Sequence, residues 1–161
     1  MRLRIAEPAD VEAIARLINL AFRVERFFIE RDRIDTGAVR ELTSKGKFIL
    51  AEDCASLLGC IYVELRGERG YLGLLAVDPS RQRSGIGSHL MAAAEQRCLD
   101  AGCRFADLRI VNVREELPAY YQRLGYLPTG TSPFSADAQP KLPCHFVNMT
   151  KLLVRASEAA S

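Results

Sequence analysis

Residues 71–102 (YLGLLAVDPSRQRSGIGSHLMAAAEQRCLDAG) constrain the fold most, because they predict a buried strand, a polar turn and a long helix in direct succession. The apolar run over 71–77 has the length of a strand and ends at Asp78-Pro79, a pair that favours a turn. From Ile86 onward, apolar residues recur at helical spacing until Gly102, which we expect to cap the helix. The strand is therefore expected to be internal, with the helix packed against its sheet.

The turn between this strand and this helix, residues 81–88 (RQRSGIGS), has the chemistry of an anion site. Small residues let the main chain approach a ligand closely, and the first N–H groups of a helix have no partner within it. Arg81 and Arg83 add positive charge that suits a diphosphate. Two known phosphate-binding motifs do not fit: a dinucleotide fingerprint needs glycine at Leu90, and a Walker loop needs Gly-Lys-Ser/Thr where the chain has Gly87-Ser88-His89.

Two blocks of sequence around this turn carry a family resemblance: Leu75-Ala76-Val77-Asp78-Pro79 and Gln82-Arg83-Ser84-Gly85-Ile86-Gly87. They resemble motif A of the GNAT superfamily of acyl-CoA-dependent N-acyltransferases, in which Gln/Arg-x-x-Gly-x-Gly/Ala opens a helix after an apolar strand. The resemblance implies that coenzyme A binds here. The main chain of the strand end would pair with the pantetheine arm (Leu75, Ala76, Val77), and the turn would cradle the pyrophosphate (Gln82, Arg83, Ser84, Gly85, Ile86, Gly87, Ser88).

The run AYYQRLGY at 119–126 resembles a second element of that family, LYEKLGF, in which the second aromatic residue, here Tyr121, is the usual general acid. A phenol with a pKa of about 10 stays protonated at pH 7 and can donate to a departing thiolate. The sequence departs from the family pattern at Arg114 and Leu117, where asparagine and alanine are frequent. Asn112, the nearest asparagine, is then a candidate contact to the pantetheine or adenosine end of coenzyme A.

The chain before this unit predicts three strands and an amphipathic helix, with a second helical pattern after Asp35. Residues 2–6 predict a first strand, and an amphipathic helix follows with Asp10 as its N-cap. Two further strands are predicted over 47–53 and 57–66. A turn at 67–70 joins the second of them to the strand over 71–77, which gives an antiparallel meander.

The chain after the long helix predicts a parallel strand pair. Residues 105–113 alternate apolar with polar, so a strand, a helix and a strand follow one another and imply a right-handed crossover. A short helix over 115–124, a loop from Tyr126 onward and a final strand over 143–153 complete the chain. The expected architecture is a mixed α/β domain of GNAT type, with a mostly antiparallel sheet, one parallel strand pair and flanking helices.

The composition indicates a single domain over residues 1–154, with a frayed tail over 155–161. The chain has 161 residues, 48% hydrophobic and 26% charged, which is ordinary for a globular protein. The formal net charge of +2 indicates no nucleic-acid partner, and the absence of a long apolar run or signal-peptide core indicates a cytoplasmic protein without membrane contact. Five cysteines without a C-x-x-C spacing argue against a disulfide framework and a zinc site, so no metal is expected.

Together these observations predict transfer of an acyl group, most simply acetyl, from acetyl-CoA to a primary amine of a small molecule or peptide, by direct attack in a ternary complex. An alkylammonium with a pKa of about 10 is neutral about one time in a thousand at pH 7, a deficit of roughly 4 kcal/mol. The candidate bases are Glu25, Asp32, Glu64 and His145, with a water relay as the alternative.

Three points stay open on the sequence. Phe27 and Phe28 either line an acceptor pocket or pack inward. A noncatalytic acyl-CoA-binding sensor would retain the glycine turn but would not need Tyr121 as an acid. Finally, the chain is either a monomer or a homodimer.

Overall fold

The computed structural model describes residues 1–82, 84–135 and 139–154. Its strands are β1 (Arg2–Ile5), β2 (Lys47–Asp53), β3 (Ser56–Arg66), β4 (Arg69–Val77), β5 (Phe105–Val111), β6 (Leu127–Pro133) and β7 (His145–Leu152). Its α-helices are α1 (Val11–Ala21), α2 (Thr36–Thr43), α3 (Ile86–Asp100) and α4 (Leu117–Arg123). Short 3-10 helices span Pro8–Asp10, Phe22–Phe27 and Pro79–Arg81. Arg83 and the predicted tail over 155–161 lie outside the described residues.

The strands form one sheet in the order β1-β2-β3-β4-β5-β7-β6. Every neighbouring pair in it is antiparallel except β4 and β5, which are parallel. The connection from β4 to β5 runs through α3, as a parallel pair requires. The mixed sheet with a single parallel pair and flanking helices confirms the predicted fold class.

β4 and β5 pair along only the first part of their length. The three parallel pairs run from Arg69–Phe105 to Tyr71–Asp107, and no later pair follows among the described residues. Just beyond that point β4 carries a bulge against β3, where Leu74 has a φ of +52°. A bulge bends its strand and increases the local twist. The two strands therefore separate toward their carboxyl ends, and the end of β4 is left without a neighbour on its β5 side.

The two faces of the sheet are covered to different extents. On one face, α3 buries its apolar stripe against β2, β3, β4 and β5 (Ile86, Leu90, Met91, Ala94, Cys98). On the other face, the buried core is built from α1, α2, β2, β3 and β4 and contains no residue of β5, β6 or β7. The half-sheet of β5, β7 and β6 therefore lies outside that core on this second face, where Phe134 packs on Phe146 and Phe28 on Phe134. We call the face of this half-sheet the open half-face.

Most predicted elements match the structure to within about two residues. The Gly102 cap is confirmed, since this glycine has a φ of +89° just after α3. In the part of the chain that the structure describes, no helix is long and apolar enough to cross a membrane.

Two predictions of local structure were wrong. The expected loop after Tyr126 begins with a strand, β6, despite Pro128 and Pro133. Proline has no N–H to donate, and a sheet tolerates it on an edge strand such as β6, which has a neighbouring strand on one side only. Asp10 does precede α1, but its carboxylate binds the Arg4 guanidinium at 2.8 Å and accepts from the Glu7 N–H at 2.7 Å instead of capping that helix.

Candidate active site

The turn after β4 leads directly into the amino end of α3. The Asp78 carboxylate accepts from the backbone N–H and the hydroxyl of Ser80, at 2.9 and 2.7 Å, and these bonds hold the pKa of Asp78 below its usual range. Gly85 has a φ of +86°, which glycine adopts at little cost, and α3 begins at Ile86. The N–H groups of the first helical turn have no acceptor within the helix and point away from it. The start of α3 therefore presents outward backbone donors at the place where an anion site is predicted.

The predicted coenzyme residues lie together at one end of the sheet. Leu75, Ala76 and Val77 form the end of β4, which pairs with β3 but has no β5 partner among the described residues. The exposed Gln82 and Ser84 belong to the turn that follows. The Gln82 side chain lies 3.5 Å from the Val77 carbonyl, and the Ser84 hydroxyl donates to the Arg81 carbonyl. The roles of these residues, and that of Arg83 outside the described chain, stay predictions.

The first turn of α3 contacts a tyrosine that the sequence analysis did not single out. A Cβ atom added to Gly87 would lie 3.1 Å from the Tyr120 hydroxyl and about 4 Å from the Val77 and Leu75 side chains. The Tyr120 hydroxyl thus lies against the helix start, beside the end of β4. The adjacent tyrosines in the sequence gave no signal for this, because only the fold brings α4 over the start of α3.

Tyr121 is held by the structure that ends α4. The Tyr126 N–H donates to the Tyr121 carbonyl and the Gly125 N–H to the Gln122 carbonyl, both at 3.0 Å, with Gly125 at a φ of +101°. These two bonds form a Schellman motif, whose characteristic side-chain contact joins the first and last residues. Here that contact is between the rings of Tyr121 and Tyr126, 6.1 Å apart, and the Tyr126 hydroxyl donates to Glu95 at 2.8 Å.

The environment of Tyr121 favours the protonated phenol. Burial raises the pKa of Tyr121, and the neighbouring Tyr120 raises it further, while the charge of Arg114 lowers it. Among the described residues, the Tyr121 hydroxyl has no hydrogen-bond partner. A neutral phenol whose proton is not engaged by the protein can donate that proton to a ligand.

A part-buried ion pair stands near this phenol. Arg114 Nη1 lies 3.0 Å from Glu25 Oε2, and the two side chains are only 15% and 12% exposed. Arg114 also bonds Glu116 at 2.6 Å. Burial raises the pKa of Glu25, and Arg114 and then Arg33 counteract that effect. Arg114 occupies the position where the family often has asparagine, and it ties the segment after α1 to the segment after β5.

The other candidate bases are differently placed. Glu64 accepts from the Tyr62 hydroxyl and from Arg66, which lower its pKa, and Asp32 is an exposed partner of Arg26 at 3.2 Å. The exposed His145 begins β7. The pKa of Glu25 is thus raised by burial, whereas that of Glu64 lies below its usual range.

Three further predicted residues are located by the structure. The Asn112 side-chain oxygen accepts from the His145 N–H at 2.8 Å, so this amide anchors the start of β7. Phe28 is fully buried, which agrees with the alternative that it packs inward, whereas Phe27 is half exposed. Within the described residues, no three His, Cys, Asp or Glu side chains are grouped so that they could hold a metal ion.

Solved structures resemble this fold over nearly the whole chain. Ard1 from Thermoplasma volcanium has a TM-score of 0.77 at 18% identity, covering 96% of this chain and 98% of its own. The ribosomal-protein-S18-alanine N-acetyltransferase from Escherichia coli has a TM-score of 0.75 at 14% identity, covering 96% and 95%. An aminoglycoside 6'-N-acetyltransferase complexed with coenzyme A has a TM-score of 0.75 at 18% identity, covering 96% and 98%. At these identities the likeness establishes the fold.

The sequence comparison is more specific. A search of curated proteins gives no match. The model of the Acetyltransferase (GNAT) family matches residues 11–126, well over half of the chain, and this range contains the turn after β4 and both tyrosines of α4. The chain therefore belongs to the GNAT family of acetyltransferases.

Proposed function

We propose that this acetyltransferase uses acetyl-CoA and transfers the acetyl group to a primary amine by direct attack in a ternary complex. One observation carries the proposal: the start of α3, with its outward donors, follows the end of β4 that lacks a β5 neighbour, and α4 reaches this start through Tyr120. The Tyr121 ring lies 5.0 Å from the Tyr120 ring. Ligands of open sheets with parallel strands bind beyond the strand carboxyl ends. The arrangement offers a site for a thioester, a site for a diphosphate and a proton donor.

The main chain supplies the proposed coenzyme contacts. Because β4 has no neighbour beyond Tyr71 on its β5 side, the backbone of Leu75–Val77 is free to pair with the pantetheine amides. The backbone donors of residues 84–88, with Gln82 and Arg83, would hold the pyrophosphate, aided by the positive end of the α3 dipole. Gly87 leaves room at the contact with Tyr120, where a side chain would fill the approach. Asn112 lies on the neighbouring strand end.

Tyr121 completes the proposed chemistry. The amine nitrogen forms a bond to the thioester carbon, the carbon–sulfur bond breaks, and the sulfur leaves as a thiolate that needs a proton. Tyr121 would supply that proton from its phenol oxygen, which burial keeps protonated. Backbone N–H groups at the end of β4 would stabilise negative charge on the thioester oxygen during the attack.

Glu25 is our proposal for the base that takes a proton from the amine, directly or through a water molecule. Its carboxylate is nearly buried beside Arg114, whose charge also reaches Tyr121. A raised pKa makes a carboxylate a stronger base than one in water. The partial exposure that remains, 12% of the side chain, leaves it an approach from solvent.

The test is turnover of acetyl-CoA over a panel of amines by the intact chain and two tyrosine variants. Because Cys54 is exposed and would react with thiol reagents, coenzyme A should be measured by chromatography. We expect Tyr121→Phe to lower kcat by about 10²- to 10⁴-fold, the usual range for a lost general acid, with little change in coenzyme binding. Tyr120→Phe is the comparison variant, because it removes a hydroxyl from the same turn of helix; since that hydroxyl lies against Gly87, coenzyme binding is measured for both variants.

The outcomes separate the alternatives. If calorimetry detects coenzyme A but no amine is acetylated, the chain is an acyl-CoA-binding module. If Tyr121→Phe keeps full turnover, the acid is a different group. If coenzyme A does not bind, the proposed site after β4 is wrong.

A further inference from the structure

Arg109 is a cation without an acidic partner on the open half-face. It lies in the middle of β5 and is exposed. Its neighbours on β5, Leu108 and Ile110, belong to the core under α3, so Arg109 points to the opposite side of the sheet. Within the described chain, its guanidinium has no carboxylate within 4 Å and donates no hydrogen bond.

The nearest carboxylate on this strand is already occupied. Asp107 lies two residues before Arg109 on the same face, and it receives a two-point contact from Arg69 at 2.7 and 2.8 Å. It also accepts from the Thr150 hydroxyl at 2.6 Å. Arg69 and Asp107 neutralise each other, whereas the charge of Arg109 is not balanced locally.

The Arg109 guanidinium is held in place by aromatic rings. It lies over the ring of Phe146 on β7, 4.1 Å from the ring centre. Phe146 packs against Phe134 at 5.0 Å, and Phe134 packs against the buried Phe28 at 6.3 Å. Stacking uses the face of a guanidinium and leaves the N–H groups along its edge available to an acceptor. A carboxylate suits that edge, because two parallel N–H···O bonds can form at once.

The position of Arg109 relates it to the proposed chemistry. The last parallel pair between β4 and β5 joins Tyr71 and Asp107, so Arg109 lies two residues into the region where the strands separate. On β4, the residues that follow the last pair include Gly73 and the bulged Leu74. At about 3.3 Å per residue, Arg109 lies roughly 6.6 Å beyond the last paired residue of β5, which is within reach of a small acceptor bound in the opening.

We propose that Arg109 selects the acceptor by binding a carboxylate, so that the amine acetylated by this protein belongs to an amino acid or another small amine bearing a carboxylate. This inference rests on the proposed function and narrows its substrate class. It separates this chain from a protein whose acceptor is a polycation, because a fixed guanidinium at the opening would repel one.

The test compares L-amino acids with their C-terminal amides, in wild type and in three variants. Because amidation also changes the reactivity of the amine, the informative quantity is how the acid-to-amide ratio of kcat/KM changes between variants. We expect Arg109→Gln to lower that ratio by about 10- to 100-fold, the usual effect of losing a charge-assisted hydrogen bond. Arg109→Lys should fall in between, and Arg109→Glu should favour the amides. Aminoalkyl phosphonates in the same assay test whether the site also accepts a phosphonate.

Arg104→Gln is the matched control. Arg104 also packs on an aromatic ring, that of Phe105 at 5.6 Å, and has no ion pair with a described residue, but it lies just before the start of β5, where β4 and β5 are still paired. The Arg104→Gln variant should leave the acid-to-amide ratio of kcat/KM unchanged.

Binding of the same acids and amides to protein saturated with coenzyme A gives a second measurement that needs no turnover. The proposal is overturned if Arg109→Gln changes the ratio no more than Arg104→Gln does, or if no acid binds or reacts better than its amide. A failure of acetyl transfer alone would leave the acid preference visible in binding, so the two failures are distinguishable.

Discussion

The contact between Gly70 and Cys98 sets how closely α3 approaches the sheet. Gly70 is buried on β4, opposite Ala106 in the parallel pair. A Cβ atom added there would lie 2.2 Å from the Cys98 sulfur, whereas an ordinary contact begins at about 3.4 Å. The Cys98 side chain must therefore rotate within the packed core, or α3 and the strand must move apart. Since α3 carries the proposed anion site at its other end, this contact bears on function as well as on stability.

The size of the effect follows from these distances. Overpacking a core site costs about 3 kcal/mol at the upper end of its usual range, and alanine regains about 0.5 kcal/mol over glycine in a strand, so Gly70→Ala should cost roughly 2.5 kcal/mol. Cys98→Ala removes one buried heavy atom and should cost about 1 kcal/mol. In the double variant the new Cβ lies 3.2 Å from the residue 98 Cβ, which a small shift relieves. The double variant should therefore cost only about 1 kcal/mol, against about 3.5 kcal/mol if the costs were additive.

Urea unfolding of the four proteins, followed by circular dichroism because the chain has no tryptophan, measures this cycle. Gly130→Ala is the control, since no atom lies within 4 Å of its added Cβ, and it should change stability by less than about 0.5 kcal/mol. If the double variant is destabilised by the sum of the single variants, the Cys98 sulfur is not what limits the approach of α3, and the packing argument fails.

Two predictions concern the site. Gly87→Val should fill the space beside the Tyr120 hydroxyl and raise the Kd for acetyl-CoA by about tenfold or more, as calorimetry would show, whereas Gly130→Val should not. An unchanged Kd would remove the turn from the proposed site. If Glu25 is the base, kcat/KM should fall as the pH drops through its raised pKa, because only the carboxylate accepts a proton. Glu25→Gln should lower kcat/KM and remove that acid limb, and a limb that persists would assign it to another group.

The central strand, turn and helix could be predicted from the sequence because each gives a strong local signal. The apolar run over 71–77 predicts a strand, and the pair Asp78-Pro79 predicts where it ends. Apolar residues at helical spacing from Ile86 then predict a helix, so each change of pattern marks a boundary. The end of the helix that carries Tyr121 could also be predicted, since Gly125 is a recognisable helix cap, whereas the choice of Tyr121 itself came from the family resemblance.

The remaining features depend on contacts between distant segments. The bulge at Leu74 has a positive φ at a leucine, for which the sequence gives no sign. Glu25 and Arg114 meet although they are 89 positions apart. Asp10 looks like a helix cap until Arg4, on the preceding strand, takes its carboxylate. Arg109 drew no attention as one polar residue of an alternating strand, because its significance comes from where β4 leaves β5.

The Schellman motif after α4 offers a way to test whether Tyr121 acts through its exact position. Gly125 has a φ of +101°, and an added Cβ would also lie 3.2 Å from Lys151, so Gly125→Ala should cost about 1 kcal/mol or more in stability. The strain would displace the bond from the Tyr126 N–H to the Tyr121 carbonyl, and with it the phenol, so kcat should fall while coenzyme binding holds.

Gly102→Ala is the matched control for this change. Gly102 ends α3 with a similar φ of +89°, no atom within 4 Å of an added Cβ, and a position away from the proposed site. Both variants should lose comparable stability in urea unfolding, but only Gly125→Ala should lose kcat, measured well below its unfolding transition. Equal losses of kcat would mean that general loosening of the fold, and not displacement of the Tyr121 phenol, limits turnover.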